Sequence, residues 1–435
     1  MIGTPLTRRR LLTCGGAALA LPRFALAAPM VLRAEPVSAQ ILLEGDGVTA
    51  MLGLNGTTPG PELRVNQGAR LDLDFENRIG ADSALHWHGI RIDNAMDGVP
   101  GMTQDAVPDG GRFQYSFVAP DAGTFWYHSH SRSWEQVEQG LYGPLIVEEA
   151  NPPQVDHDVT VLIDDWRLEE DGTLMGGFGN MHDFAHAGRL GNFARAMPSV
   201  AVVRRGDRLR LRLINVATAR VFPVTLSGAQ GKVVALDGMP LAAPRDITEI
   251  VLAPAQRMDL IVDVTDTLRF DFPTREEPYE LGRIGIAGEN PAPIGGEISA
   301  LPEANVTAPG ALDHDLVLTM EGGAMGGAHA GEGIWALNGH SGLPDAPFAR
   351  FQRGETARIR LINDTAFAHG MHLHGHHFHE VTTEGEIGDF RDTTLINRGE
   401  TRDILCVFDN PGKWLLHCHM LGHQASGMKT WVEVM

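Results

Sequence analysis

The chain is short of cysteine, of positive charge and of long apolar runs. Its three cysteines are Cys14, Cys406 and Cys418. Cys14 falls in an N-terminal leader and Cys418 in a ligand motif, so Cys406 is left alone and an internal disulfide in the mature chain is excluded. Cys406 alternates with Ile404 and Phe408, which marks it as a buried strand residue. Lys and Arg total 35 against 55 Asp and Glu, a formal net charge of -20. That balance argues against nucleic acid or an anionic membrane as partner and suits cationic substrates such as metal ions. No segment is apolar for long enough to cross a bilayer, which argues against stable membrane insertion.

The one basic cluster of note is Thr7-Arg8-Arg9-Arg10-Leu11-Leu12, followed by a short apolar run to Leu21 and a small-residue site at Ala25-Leu26-Ala27. This pattern reads as a twin-arginine export signal over residues 1–27. It predicts that the mature protein begins near Ala28, leaves by the twin-arginine export machinery already folded, and resides in a periplasm or outside the cell.

Histidine, by contrast, is placed in pairs. His86-Trp87-His88, His128-Ser129-His130, His372-Leu373-His374 and His417-Cys418-His419 each aim two imidazoles at one side of an extended strand, because side chains alternate faces. Cys418 then points the opposite way from its two neighbours. With His423, Met428 and a second histidine it makes a His2Cys set with a weak axial thioether, which is a blue copper donor set. His369 supplies that histidine, since it lies an odd number of residues before His372 and faces away from the His372/His374 pair. The eight paired imidazoles alone suit copper, zinc, iron or nickel; the soft Cys418/Met428 pair tips the choice to copper.

With these four stretches the chain resembles the multicopper oxidases, a family that includes laccases and bacterial cuprous oxidases. The resemblance implies four copper ions. It makes His369, Cys418, His423 and Met428 the type 1 ligands and His86 and His372 the type 2 ligands. His88, His128 and His419 would hold one type 3 copper, and His130, His374 and His417 the other. It further implies a laccase-type reaction, in which a small phenol or aromatic amine loses single electrons through Cys418, His417 and His419 to a site that reduces dioxygen to water. A cuprous or ferrous oxidase serving metal tolerance is the alternative, and a copper-free relative of the cell-division type belongs to another class. Asp97 stands where similar proteins carry an acidic proton donor. Gln424 stands where many relatives have Glu directly after the type 1 histidine, which leaves a second proton relay position in doubt.

An internal repeat organises the rest. Gly68-Ala69-Arg70-Leu71, Gly206-Asp207-Arg208-Leu209 and Gly354-Glu355-Thr356-Ala357 each open a stretch that ends at an Asn, at Asn77, Asn215 and Asn363. His86 and His372 follow their glycines by the same number of residues, so they are equivalent positions; the middle copy has Val224 there. Gly123 to His128 and Gly412 to His417 are also equal steps, which aligns Ser129 with Cys418, and Ser83 stands where the last copy has His369. Leu71/Leu73/Phe75, Leu209/Leu211/Leu213 and Ile359/Leu361 predict half-buried strands. Together they predict an all-β chain of three consecutive β-sandwiches at residues 28–150, 151–290 and 291–435, which the resemblance makes cupredoxin-like Greek keys. The middle one would be a ligand-free spacer.

Met175, Met181, His182 and His186, with Met320, Met325 and His329, are candidates for soft cuprous sites. The segment 175–195 reads as a long loop with one helical turn at most. His376, His377 and His379 are expected to be solvated or to lie behind the ligands, and Trp87, Trp126 and Trp414 to pack under the sites. His423 is expected to offer an exposed imidazole edge to an electron donor.

Overall fold

The computed structural model describes residues 30–42, 47–324 and 333–435. The expected export signal, Cys14, Met325 and His329 lie outside the described residues.

Each copy of the repeat becomes a strand with the same two neighbours. Arg70–Asn77 runs parallel to Met30–Ala39 and antiparallel to Arg112–Val118. Arg208–Asn215 runs parallel to His157–Trp166 and antiparallel to Arg257–Phe272. Glu355–Asn363 runs parallel to His314–Gly322 and antiparallel to Thr401–Phe408. The leading Gly68, Gly206 and Gly354 have φ of 78, 87 and 91°, a left-handed turn that glycine makes without a Cβ clash. The closing asparagines are buried and repeat one task. Asn77 donates to the carbonyls of Ala81 and Val107, Asn215 to Arg220 and Leu252, Asn363 to Phe367 and Ile396. One amide with two donors satisfies two turn carbonyls that burial would otherwise orphan.

Three cupredoxin-like units result, each with its own apolar core. The first pairs a four-stranded sheet containing Arg70–Asn77 with another ordered Leu63–Asn66, Tyr142–Glu148, Gly123–Ser129, Leu85–His88. The last pairs a six-stranded with a five-stranded sheet, and the middle strands join in a nine-stranded one. Among the described residues α-helix is limited to Ser133–Gln136, Met181–Ala185 and Leu421–Ala425.

One expectation fails. Leu209, Leu211 and Leu213 enter the core, yet the strand is not half-buried, for Arg208, Arg210 and Arg212 are buried too. Arg210 pairs with Glu149 and Asp259 at 2.7 Å each, and Arg212 reaches Asp158 at 2.6 Å and Thr124 Oγ1 at 2.8 Å. Thr124 Oγ1 also donates to Asp259. The arginine face thus docks on the strand that carries His128, and its charges are tolerated there because each is hydrogen-bonded.

The histidine strands sit in equivalent ladders. Leu85–His88 pairs with Gly123–Ser129 so that His86 opposes His128, and His369–Leu373 pairs with Gly412–Cys418 so that His372 opposes His417. Directly opposed residues share a face, so each ladder presents its imidazoles on one side.

Candidate metal centre

The four His-X-His pairs meet in one buried pocket between the first and last units. Ligand atoms of His86, His88 and His128 lie within 4.8 Å of one another, as do those of His86, His372 and His374, and those of His130, His374 and His417. His419 Nε2 lies 3.4 Å from His128 Nε2, and His374 Nε2 lies 3.0 Å from His417 Nε2. Burial holds His88, His128, His130, His374, His417 and His419 well below the usual histidine range, which keeps them in the neutral, ligating form. His86 Nε2, His88 Nδ1, His130 Nε2, His372 Nε2 and His419 Nδ1 have no hydrogen-bond partner among the described residues. Several orphaned imidazole nitrogens in one buried pocket would be costly in a bare protein, and metal ions would use their lone pairs. The donor set fits copper.

Two buried carboxylates hold the outer edges of these rings. Asp97 Oδ1 is 3.2 Å from His86 Nδ1 and Oδ2 is 3.0 Å from His374 Nδ1. Asp392 Oδ1 is 3.2 Å from His88 Nε2 and 3.5 Å from His372 Nδ1, whose ring also bonds the Asp392 carbonyl at 2.9 Å. His86 stacks on His374 at 3.9 Å and His88 on His372 at 3.8 Å. Burial alone would raise the Asp392 carboxyl, but the Arg257 guanidinium, at 2.6 and 2.9 Å, holds it well below the usual range.

On the other face of the last ladder Cys418 Sγ lies 3.6 Å from His369 Nδ1 and 3.7 Å from His423 Nδ1. The two Nδ1 atoms are 3.0 Å apart, so three donors converge. Met428 is buried in the same core cluster, and its carbonyl accepts from the Cys418 amide at 3.1 Å. Burial pushes the Cys418 thiol up to about 12, so the free protein carries a thiol and a bound cation is what would release the proton. Copy one retains the outline of this site without its chemistry. Ser83 and Ser129, aligned with His369 and Cys418, both donate to Gln136 Oε1, at 2.9 and 2.5 Å.

The covering of the Cys418 site departs from expectation. His423 is fully buried, with its Nε2 donating to the His186 carbonyl at 2.6 Å, so it offers no exposed edge. Segment 175–195 lies over it, with a short helix at Met181–Ala185. The rings of His182 and His186 stack at 4.3 Å, and Met181 is exposed. Met320 is buried in the core and unavailable as a surface ligand. His376 and His377 are buried rather than solvated, and burial takes both down to about 4. His377 Nε2 lies 3.4 Å from Asp392, while His379 is half-buried against Phe390. Trp87, Trp126 and Trp414 are buried as expected, Trp126 lying 4.3 Å from the His128 ring. Gln424 Oε1 accepts from Ser133 at 3.0 Å. Sequence reasoning missed Asp392 and Arg257. Neither lies within a histidine motif, and Asp392 reaches the site because the next residue, Thr393, pairs with His372.

Three family models, each described as multicopper oxidase, match residues 37–152, 148–275 and 312–435. The chain belongs to the multicopper oxidases. It is similar to the crystal structure of Lac15 from a marine microbial metagenome, with 58% identity and a TM-score of 0.82 over 94% of this chain and 100% of that one. It is 29% identical to the multicopper oxidase MmcO of Mycobacterium tuberculosis, over 91% of this chain and 85% of that protein. Copper resistance protein A of Pseudomonas syringae pv. tomato is 30% identical over 65% of this chain and 52% of its own. As a member of the family this multicopper oxidase is an oxidoreductase that uses copper, dioxygen and a reducing substrate. No helix among the described residues is long and apolar enough to cross a membrane.

Proposed function

We propose a four-copper oxidase of laccase type, taking single electrons from small phenols or aromatic amines and reducing dioxygen to two waters with four electrons and four protons. In this reading His369, Cys418, His423 and Met428 hold a type 1 copper and His86 and His372 a type 2 copper. His88, His128 and His419 hold one type 3 copper, and His130, His374 and His417 the other. Bound copper supplies the one-electron redox steps and the site of oxygen reduction.

The observation that carries the reading is the position of Cys418. Its sulfur faces His369 and His423, while its peptide neighbours His417 and His419 face the eight-histidine pocket. One strand end therefore joins the two sites by covalent bonds. Asp97 touches one ring of each kind in the pocket and, among the described residues, pairs with no basic side chain other than those histidines, which suits a residue that passes protons inward. A copper-free structural role is disfavoured by the orphaned nitrogens.

A second reading, oxidation of cuprous ions, is favoured by one observation. The His423 edge is covered by a segment whose outer face carries Met181, His182 and His186. Oxygen uptake measured side by side with a phenol, Cu(I) and Fe(II) separates the readings through their kcat/KM values. The basic leader supports twin-arginine export to the periplasm; replacing Arg8 and Arg9 by Lys should hold the precursor in the cytoplasm.

A further inference from the structure

Asp97 and Asp392 play matching parts about the repeat. Each carboxylate holds the first histidine of one pair and the second of the other, and each holds two rings stacked on one another. Their surroundings differ. Among the described residues the Asp97 carboxylate pairs only with histidines, whereas that of Asp392 is gripped by both terminal nitrogens of Arg257, at 2.9 and 2.6 Å, and also accepts from Thr393 Oγ1 at 2.7 Å. Arg257 comes from the middle unit, the one without ligands. It is fully buried, its Nε donates to the Thr124 carbonyl at 3.1 Å and its Nη2 to the Asp237 carbonyl at 2.8 Å. Gly89, next to His88, leaves the room: a Cβ there would come within 2.3 Å of Arg257 Nη2 and 2.4 Å of Asp392 Oδ2.

His88 shows what the grip does. His86 and His372 present an unpartnered Nε2 and bind outward through Nδ1, but His88 is turned the other way, with Nε2 on Asp392 and Nδ1 unpartnered. An imidazole offers one lone pair only if the other nitrogen carries the proton, and the outer partner decides which. Asp392 therefore fixes opposite tautomers on two adjacent rings, His88 through the carboxylate that Arg257 grips and His372 chiefly through its backbone carbonyl at 2.9 Å, with the carboxylate at 3.5 Å.

We propose that Arg257 is a positioning residue of the eight-histidine pocket, acting through Asp392 to fix the ring orientation and tautomer of His88 and the placement of His372 stacked on it. The middle unit is then a structural member of the metal centre and not a spacer. The inference rests on the copper assignment above, and the wild-type copper content tests that assignment separately.

The test uses the full-length copper-loaded protein in three forms: wild type, Arg257→Lys, and Arg257→Met combined with Asp392→Asn, which leaves no unpaired buried charge. Each is measured for the blue absorption, for the electron paramagnetic resonance signal of type 2 copper, and for copper retained against a graded chelator. The blue band should persist in all three. The double variant should release pocket copper at about tenfold lower chelator or less, with an altered type 2 signal, and Arg257→Lys should lie between it and wild type. Should the double variant fail to fold, Arg257→Lys decides alone, since Lys keeps the charge without the two-pronged grip. Wild-type copper retention and an unchanged type 2 signal in whichever variant folds would overturn the proposal. A wild type that binds no pocket copper would instead overturn the assignment on which it rests.

Discussion

Nε2 of His423 donates to the carbonyl of His186 at 2.6 Å, so a residue from the middle of the chain closes over the Cys418 site. Trp335 reinforces the closure, lying 4.4 Å from the His423 ring while its indole N–H donates to the Phe184 carbonyl at 2.6 Å. With His423 as the proposed entry point, an electron would have to pass through this backbone or through a movement of it. Phenol kcat/KM should therefore fall with increasing ring bulk, by about tenfold or more between the smallest and bulkiest donors, whereas reoxidation by oxygen stays constant. Bulk-independent kinetics would show that the segment 175–195 does not control access.

The outer face of the same segment bears on the metal reading. Replacing Met181 and His182 together by Ala should lower kcat/KM for Cu(I) about tenfold and leave phenols unchanged, since both side chains are exposed and hold up no core. Equal losses for both donors would assign these residues to the cover alone.

Cys418→Ser should abolish the blue absorption and the oxidase activity with any reductant, while the eight-histidine pocket keeps its copper. Metal analysis with optical spectra checks this, and a persisting blue band is the contrary result.

Asp97→Asn keeps the shape of the carboxylate but cannot carry a proton. Reduction by substrate should proceed at the wild-type rate, and reoxidation by oxygen should slow by about a hundredfold. Stopped-flow traces of the two half-reactions separate the effects.

Glu138 gives a pH dependence that can be assigned. Burial raises its carboxyl to about 7, with Asp165 adding to the shift and Arg189 opposing it. The folded state thus holds this proton more tightly than the unfolded one. Stability from the group is full below the ordinary carboxyl range near 4.5 and is lost as pH rises through about 7. The loss is on the order of a few kcal/mol, because the group is fully buried. Glu138→Gln should flatten the decline of unfolding temperature over that window. Arg189, bonded to Glu138, also donates to the Gly176 carbonyl and pairs with Asp183, so loosening of the covering segment should accompany the titration.

What the sequence made legible was local and periodic. Alternation placed His417 and His419 opposite Cys418, and the glycine-to-asparagine repeat foretold an equivalent strand three times over. The alignment of Ser83 and Ser129 with His369 and Cys418 proved spatial as well, since both hydroxyls meet on Gln136. What was not legible depends on distant packing. Arg210 and Arg212 alternate with leucines as solvent-facing residues do, and only the first unit's Thr124 and the carboxylates around it make that face an interface. Asp392 and Arg257 are 135 residues apart and carry no pattern of their own. The burial of His423 follows from a loop without period, whose position no spacing rule supplies.

In the proposed function Cys418 joins a one-electron site to a pocket that reduces dioxygen fully. The most direct test of that link is the stoichiometry of oxygen consumption by the copper-loaded protein, with peroxide assayed in the same vessel. Four substrate electrons per dioxygen, no released peroxide, and loss of all uptake in Cys418→Ser are the predicted result. Two electrons per dioxygen with peroxide accumulating, or uptake that persists without Cys418, would contradict it.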